Sequence, residues 1–470
     1  MSDIKQVGVC GAGAMGSGIA QVAAQAGHTV VVYDVFAPSR ERSREQIAKG
    51  LGQLAKRGKL SEDEATAILA RLSWTDDVSA LAGCDLVIEA IIEDLTVKQA
   101  LFGQLEEQLR PDAIIASNTS SLPIARLARS LLEPGRFVGM HFFNPATAMK
   151  LVEVVSGPAT APAVAEAIAD LARAWGKVAV PVADVPGFIV NRVARPFYAE
   201  AFRCLQQQGA QAAVIDQLFR AGAGFRMGPL ELTDLIGQDV NFAVARSVYE
   251  SYFGQTRFTP QLVQSALVDA NWLGRKTGRG IYDYADGAAV PTPVPVEAAE
   301  LASVPAKPEG ALPRADKLDI GGVLVRFSRG RTARAESAEA GRPVALLDWF
   351  DAASASAAAF AASDEAAAAV AASVLHSWGL APYCVADRPG LIVLRTLAQI
   401  ANAAGDAVLE GVSDEAGIDN ALRFGANYPF GPIAWGRQMG AGLLVQVLAA
   451  MAAETGQPMY NPSEYWMTKA

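Results

Sequence analysis

Three groupings of residues in this 470-residue chain have the types and spacing to do chemistry. In GAGAMG, Gly11, Gly13 and Gly16 follow the β-branched run QVGVC and precede a helical pattern. There the first glycine makes a tight turn, the second lets a pyrophosphate approach the backbone, and the third lets the helix pack on the strand. A second run, TVVVYD, ends at Asp34, 23 residues after Gly11. A carboxylate at that place accepts both hydroxyls of an adenine ribose and repels a ribose 2′-phosphate, so the pattern predicts NAD rather than NADP. The second grouping is His141, in GMHFFNP, with Glu153 twelve residues later in the apolar run LVEVV. A lone buried carboxylate is costly, and a hairpin turning near Ala146 to Met149 would set Glu153 beside the imidazole. Such a dyad suits oxidation of a secondary alcohol: the imidazole takes the hydroxyl proton as hydride leaves, and the carboxylate holds the tautomer. From spacing alone, two satisfied strand residues is an equally weighted reading. The third grouping is basic. Residues 39–59 hold Arg40, Arg42, Arg44, Lys49, Lys56, Arg57 and Lys59 against two acids. Phosphate recognition explains that bias; a solvated helix face is the alternative.

These groupings need elements to hold them. Apolar runs at 6–11, 29–34, 84–91 and 113–120, separated by helical patterns, predict a doubly wound, largely parallel α/β domain. Further strands are expected at 137–144, 150–157 and 177–184, with a helix near 162–175. The long crossover at 39–71 predicts two helices, the second opened by a capping box from Ser61 to Glu64. From Pro186 an apolar helical face made by Val190, Val193, Ala194, Phe197, Ala201 and Leu205 begins an all-α domain. The expected boundaries are 1–185 for the dinucleotide domain, 186–285 for the helical domain and 286–317 for a linker with six prolines. A truncated α/β segment at 318–385 and a second helical domain at 386–470 follow. In that segment, 321–328 and 343–350 read as strands around a loop, and the Ala-rich stretch 352–375 as a helix. A repeat ties the halves together: at a constant offset of 203 residues, WGKVAVPVADVPGFIVNR (175–192) aligns with WGLAPYCVADRPGLIVLR (378–395).

Composition excludes several classes. Forty basic against 49 acidic side chains give a net charge of -9, which argues against a nucleic-acid partner. No apolar run is long enough to cross a membrane and the start lacks a signal-peptide pattern, so a cytoplasmic protein is expected. Four separated cysteines and three histidines predict neither a disulfide framework nor a metal site.

The chain resembles the 3-hydroxyacyl-CoA dehydrogenases in GAGAMGSGIAQVAAQAGHTV, SNTSSL, HFFNP, MKLVEVV, DVPGFIVNR, GPLELTDLIG and LGRKTGRGIYDY, spread over residues 6–284. The resemblance implies an NAD-dependent oxidation of a (3S)-3-hydroxyacyl-CoA to the 3-oxo thioester. It implies His141 as general base, Glu153 as its partner, and Ser120 and Asn191 as hydrogen-bonding groups for the substrate hydroxyl and the histidine region. It also implies Glu93, Lys98, Ser120, Asn144 and Lys276 as cofactor contacts, and Lys56, Arg57 and Lys59 at the CoA phosphates. The long architecture is similar to a bacterial subgroup associated with phenylacetate breakdown, which oxidises 3-hydroxyadipyl-CoA. Substrates with 3-hydroxybutyryl or medium-chain acyl groups remain open, as does a catalytically silent NAD-binding protein. The family's short members dimerise through the helical domain; a homodimer is possible, and the second copy is expected to act as an internal partner, a pseudo-dimer.

Overall fold

The computed structural model describes residues 4–289, 291–301, 303–309 and 317–470. They gather into two compact units. One comprises the described residues up to Ile189 together with Gly411–Gly425, the other Val190–Glu410 together with Ala426–Ala470.

The first unit is built on β1 (Gln6–Cys10), β2 (Thr29–Tyr33), β3 (Leu72–Thr75), β4 (Leu86–Glu89), β5 (Ile114–Ser117), β6 (Phe137–Phe142), β7 (Leu151–Ser156) and β8 (Val178–Ala183). The sheet order is β3-β2-β1-β4-β5-β6-β7-β8. Every neighbouring pair is parallel except β6 and β7. Val7, Val9, Val30, Val32, Leu86 and Ile88 are wholly buried, as β-branched runs must be when helices cover both faces. Those helices are α1 (Ala14–Gln25), α2 (Ala37–Lys56), α3 (Glu62–Leu69), α4 (Leu95–Gln108), α5 (Ile124–Ala128) and α6 (Pro162–Ala174). The capping box at α3 is formed: Glu64 N–H donates to Ser61 Oγ at 3.1 Å and Ser61 N–H to the Glu64 carboxylate at 2.7 Å. The edge strand β3 is not among the strands expected from sequence. Its LSWT is short, and only Leu72 in it is buried, so no apolar run marks it.

The second unit continues through α7 (Val190–Val193), α8 (Arg195–Gln206), α9 (Ala212–Gln217), α10 (Pro229–Ile236), α11 (Gln238–Ser251) and α12 (Leu262–Asp269). Residues 286–309 carry no helix or strand where described. They are not detached, because Val296 N–H donates to the Pro382 carbonyl at 2.8 Å and Trp378 Nε1 to the Pro305 carbonyl at 2.8 Å. A small sheet follows from β9 (Lys317–Ile320), β10 (Val323–Phe327), β11 (Val344–Leu347), β12 (Ala357–Ala362) and β13 (Ala381–Cys384), in the order β13-β12-β11-β10-β9. Two expectations are corrected here. The link from β10 to β11 is a helix, α13 (Ala333–Ala340), N-capped by Thr332, whose Oγ1 accepts from Ala335 N–H. The Ala-rich stretch is a strand before it is a helix: β12 precedes α14 (Glu365–Ser377). Alanine's helix preference is worth only a few tenths of a kcal/mol per residue. Two-sided strand pairing with Ala359, Phe360 and Ala361 at 0 % exposure outweighs it. Asp364 then starts α14 by accepting from Ala367 N–H at 2.9 Å. The chain ends in α15 (Val393–Leu409), α16 (Glu415–Gly425), which belongs to the first unit, α17 (Pro432–Met439), α18 (Ala441–Thr455) and α19 (Glu464–Met467). No described helix is long and apolar enough to cross a membrane.

Candidate active site

In an open parallel sheet, ligands bind outside the carboxyl ends of the strands where the order reverses, here between β1 and β4. The glycine loop follows β1 at that place. Gly11 has φ +103°, and a Cβ there would lie 2.6 Å from the Ala90 carbonyl oxygen. A Cβ on Gly16 would lie 1.8 Å from the Gly11 carbonyl oxygen, so only glycine lets α1 start this close to the turn. A Cβ on Gly13 would meet nothing within 4 Å. That open side, at a helix start with no side-chain cap and no acid in its first turn, suits an approaching pyrophosphate. Asp34 follows β2 and is fixed by the backbone: Oδ2 accepts from Ala12 N–H at 2.8 Å and Oδ1 from Phe36 N–H at 2.9 Å. The glycine loop and a partly exposed carboxylate beside it thus fit the two ends of an adenosine diphosphate moiety.

After β4, Glu93 organises the next stretch of the edge. Its Oε1 accepts from Thr119 Oγ1 at 2.6 Å, Ser120 N–H at 3.1 Å and Ser121 Oγ at 3.0 Å. Burial would push its carboxyl up, but the Lys98 ammonium at 3.0 Å and the Thr119 and Ser121 hydroxyls outweigh this and hold it below its ordinary range. Lys98, expected as a cofactor contact, is held inside the protein. It is 1 % exposed, with its ammonium between Glu89 at 2.5 Å and Glu93 at 3.0 Å. Its charge is consumed inside the protein, and its effect on any ligand passes through Glu93. Glu89, wholly buried at the end of β4, also accepts from Ser117 Oγ at 2.6 Å. Sequence reasoning missed Glu89, although a lone acid in the apolar run LVIE carries the same signal as Glu153 in LVEVV.

The antiparallel pairing of β6 and β7 sets His141 directly across from Glu153. Nδ1 of the imidazole lies 2.7 Å from Glu153 Oε2, and the other carboxylate oxygen accepts from Ile189 N–H at 3.0 Å. Glu153 is wholly buried and His141 nearly so, with the rings of Phe143 and Phe188 at 4.5 and 5.8 Å. Assigning the ring proton to Nδ1, as the carboxylate requires, leaves the Nε2 lone pair as the acceptor for a substrate proton. Ser120 follows β5 on the same carboxyl edge, its hydroxyl without a hydrogen bond among the described residues. Asn118, also unanticipated, ties that edge together by accepting from Phe142 N–H at 2.8 Å. Asn144, two residues past β6, is exposed.

The remaining expected residues lie on other elements. Lys56, Arg57 and Lys59 are exposed at the end of α2 with no ion pair among the described residues. Three other members of that basic run are engaged: Arg40 with Asp76, Arg42 with Ser39, and Arg44 over the Trp74 ring. Asn191 and Lys276 belong to the second unit, the former half-buried on α7 and the latter ion-paired with Asp239 at 2.5 Å.

Comparisons with known proteins give the family. The model of the 3-hydroxyacyl-CoA dehydrogenase NAD binding domain matches residues 6–185, and that of the C-terminal domain matches residues 187–284 and again 390–470. A 3-hydroxybutyryl-CoA dehydrogenase reduced Rossmann-fold domain matches residues 325–389. The chain is 44 % identical over 463 residues to a 3-hydroxyadipyl-CoA dehydrogenase of Escherichia coli, covering 98 % of this chain and 96 % of that one. It is 42 % identical over 277 residues to a probable 3-hydroxybutyryl-CoA dehydrogenase of Deinococcus radiodurans, covering 59 % of this chain and 99 % of the other. A crystal structure named as a 3-hydroxybutyryl-CoA dehydrogenase of Escherichia coli superposes with a TM-score of 0.94 at 43 % identity, covering 100 % of this chain and 98 % of the other. With a glycine loop, a carboxylate after β2 and a histidine–glutamate pair on one sheet edge, the chain belongs to the 3-hydroxyacyl-CoA dehydrogenase family and is an NAD-dependent oxidoreductase.

Proposed function

We propose that the substrate is (3S)-3-hydroxyadipyl-CoA, oxidised at C3 to the 3-oxo thioester. What carries the reaction is the His141–Glu153 pair at 2.7 Å with Nε2 left free. What favours the adipyl group is the full-length likeness to the relative of that name, over 98 % of this chain. Nε2 of His141 takes the proton from the 3-hydroxyl, and Glu153 stabilises the imidazolium so formed. Bound NAD supplies the acceptor for the hydride from C3. Ser120 and Asn191 orient the hydroxyl and the carbonyl it becomes. Gly11, Gly13, Gly16 and Asp34 hold the adenosine diphosphate, and Glu93, Asn144 and Lys276 the nicotinamide half. Lys56, Arg57 and Lys59 meet the CoA phosphates, and a cytoplasmic setting is part of this reading. The second reading, a 3-hydroxybutyryl substrate, is favoured by the name of the similar crystal structure. Turnover with NAD across 3-hydroxybutyryl-, 3-hydroxyhexanoyl- and 3-hydroxyadipyl-CoA decides between them: the adipyl thioester should give the largest kcat/KM, and a preference for the butyryl thioester would reject the reading.

We further infer that residues 318–470 form a truncated α/β segment and a second, non-catalytic helical copy, packed as an internal partner to the first. Contacts recur in reciprocal pairs at the 203-residue offset, as an isologous interface requires. Ala183 N–H donates to the Val412 carbonyl at 2.9 Å, and Ala386 N–H to the Gly209 carbonyl at 2.9 Å. Arg192 pairs with Glu410 at 2.7 Å, while its counterpart Arg395 reaches Gln207 at 3.4 Å. A matching contact also recurs inside each copy, although its helix side does not keep the 203-residue offset: Asp184 accepts from the N–H groups of Ile124 and Ala125 at the start of α5, as Asp387 does from Ala333 and Arg334 at the start of α13. The chemistry is missing from the second copy. Ile189 N–H is bound by Glu153 of the dyad, whereas its counterpart Ile392 is bound by Asp348, which also accepts from Val393 and Leu394.

A further inference from the structure

Among the described residues, four arginines are at least nine-tenths buried: Arg136, Arg192, Arg195 and Arg395. Arg136 pairs with Glu106, Arg192 with Glu410 and Arg395 with Glu200. Arg195, 7 % exposed, has no carboxylate partner among the described residues, and its Nε has no hydrogen-bond acceptor. Its guanidinium lies 5.0 Å from the ring of Tyr198, a contact that satisfies no N–H. Tyr428, 5 % exposed, likewise keeps a buried hydroxyl without a partner. Beside Arg195 is a niche of about 20 Å³, lined among others by Tyr198, Asn241, Arg257, Gln261 and Gln264 and by no carboxylate. That volume holds one water or the end of one small polar group. A buried, uncompensated cation beside such a niche is costly to keep unless an anion completes it.

We propose that Arg195 receives the distal carboxylate of the substrate and so sets a preference for an ω-carboxyl acyl group. The assignment rests on the 3-hydroxyadipyl reading above. Helical backbone runs through Ala194, so Arg195 follows Asn191 on the same helix face. Four residues of helix advance ~6 Å. In the adipyl group three carbon–carbon bonds separate the carbinol carbon, which Asn191 serves, from the distal carboxyl carbon. An arginine fork meets a carboxylate with two parallel N–H···O bonds. An acyl group ending in methyl leaves the guanidinium unpaired, and a site built around a polar partner rejects such an analogue strongly.

The test is the ratio of kcat/KM for 3-hydroxyadipyl-CoA to that for 3-hydroxyhexanoyl-CoA, which differ at the distal end alone. Within one protein preparation this ratio is independent of the fraction that is folded. Arg195→Met should lower it about 10- to 100-fold relative to the wild type, and Arg195→Lys, which keeps a point charge without the fork, by less. A wild type that favours the adipyl thioester while Arg195→Met keeps the same ratio overturns the assignment and leaves the substrate reading standing. A wild-type ratio near one defeats the substrate reading itself. If Arg195→Met yields no active enzyme, Arg195→Lys decides: an unchanged ratio overturns the proposal, and a fall supports it.

Discussion

The general-base role we propose for His141 depends on one lone pair, and the hydrogen bond from Nδ1 to Glu153 determines which. Glutamine keeps the approximate size of the imidazole and removes its basicity. His141→Gln should therefore lower kcat by about 10²- to 10⁴-fold with NADH affinity nearly unchanged, because the base acts on the transition state and not on the cofactor. Glu153→Gln should behave similarly, since an amide neither holds the tautomer as firmly nor stabilises the imidazolium. Steady-state turnover together with a fluorescence titration of NADH checks both, and near-normal turnover in either variant would remove the dyad from the mechanism. At this scale a good part of the site was legible in the sequence. A single acid in an otherwise apolar strand must find a partner, and the hairpin leading to Glu153 offers His141. Lys98 was not legible in the same way: a lysine on a helix gives no sign of burial until the two carboxylates flanking it, Glu89 and Glu93, are placed.

Elements were readable where hydrophobic pattern and local chemistry agreed, and misread where tertiary context prevailed. The buried parallel strands and the Ser61–Glu64 capping box belong to the first kind. The strand β12 belongs to the second, since AAAFAA has no period that separates a strand from a helix and its partners lie elsewhere in the chain. The α13 helix was hidden because ARAESAEA has no apolar stripe. Asp348, at the end of β11, ties this segment to the helix that follows. It is wholly buried and fixes the start of α15 by accepting from Ile392, Val393 and Leu394 N–H. Burial nevertheless dominates, and its carboxyl is pushed up from the ordinary 3.8 to about 6. The folded protein therefore binds this proton more tightly than the unfolded chain does. The linked stabilisation is complete below about pH 4 and is lost as the pH rises through about 6. In Asp348→Asn that proton is gone. The Tm of the wild type relative to the variant should rise as the pH falls from about 6 to about 4, as read by thermal unfolding across that range. A difference that stays flat, or moves the other way, would contradict the assignment.

At the scale of the whole molecule, the proposal gives the second half of the chain a structural role in place of a chemical one. In α15 every residue from Val393 to Gly405 is buried, so the helix presents no free face. The first helical copy supplies part of that cover through α8, whose Glu200 pairs with Arg395 at 2.7 Å and accepts from Tyr460 at 3.0 Å. A chain ending at Ala289 exposes the apolar side of α8, including Phe197, Ala201 and Phe202. It should aggregate or dimerise in sedimentation experiments, as uncovered patches of this kind do. A truncated chain that stays monomeric and as heat-stable as the full protein would contradict the internal partnership. The repeat was legible from sequence because turn and packing residues kept their spacing. An isologous pairing of the two copies was expected from it, but the individual contacts were not legible, because they join residues about 200 apart. We propose that one half of the chain holds one catalytic centre and the other half holds its shape. Calorimetric titration of the full-length protein with NADH tests this most directly. One cofactor bound per chain is the predicted result, and two per chain would contradict it.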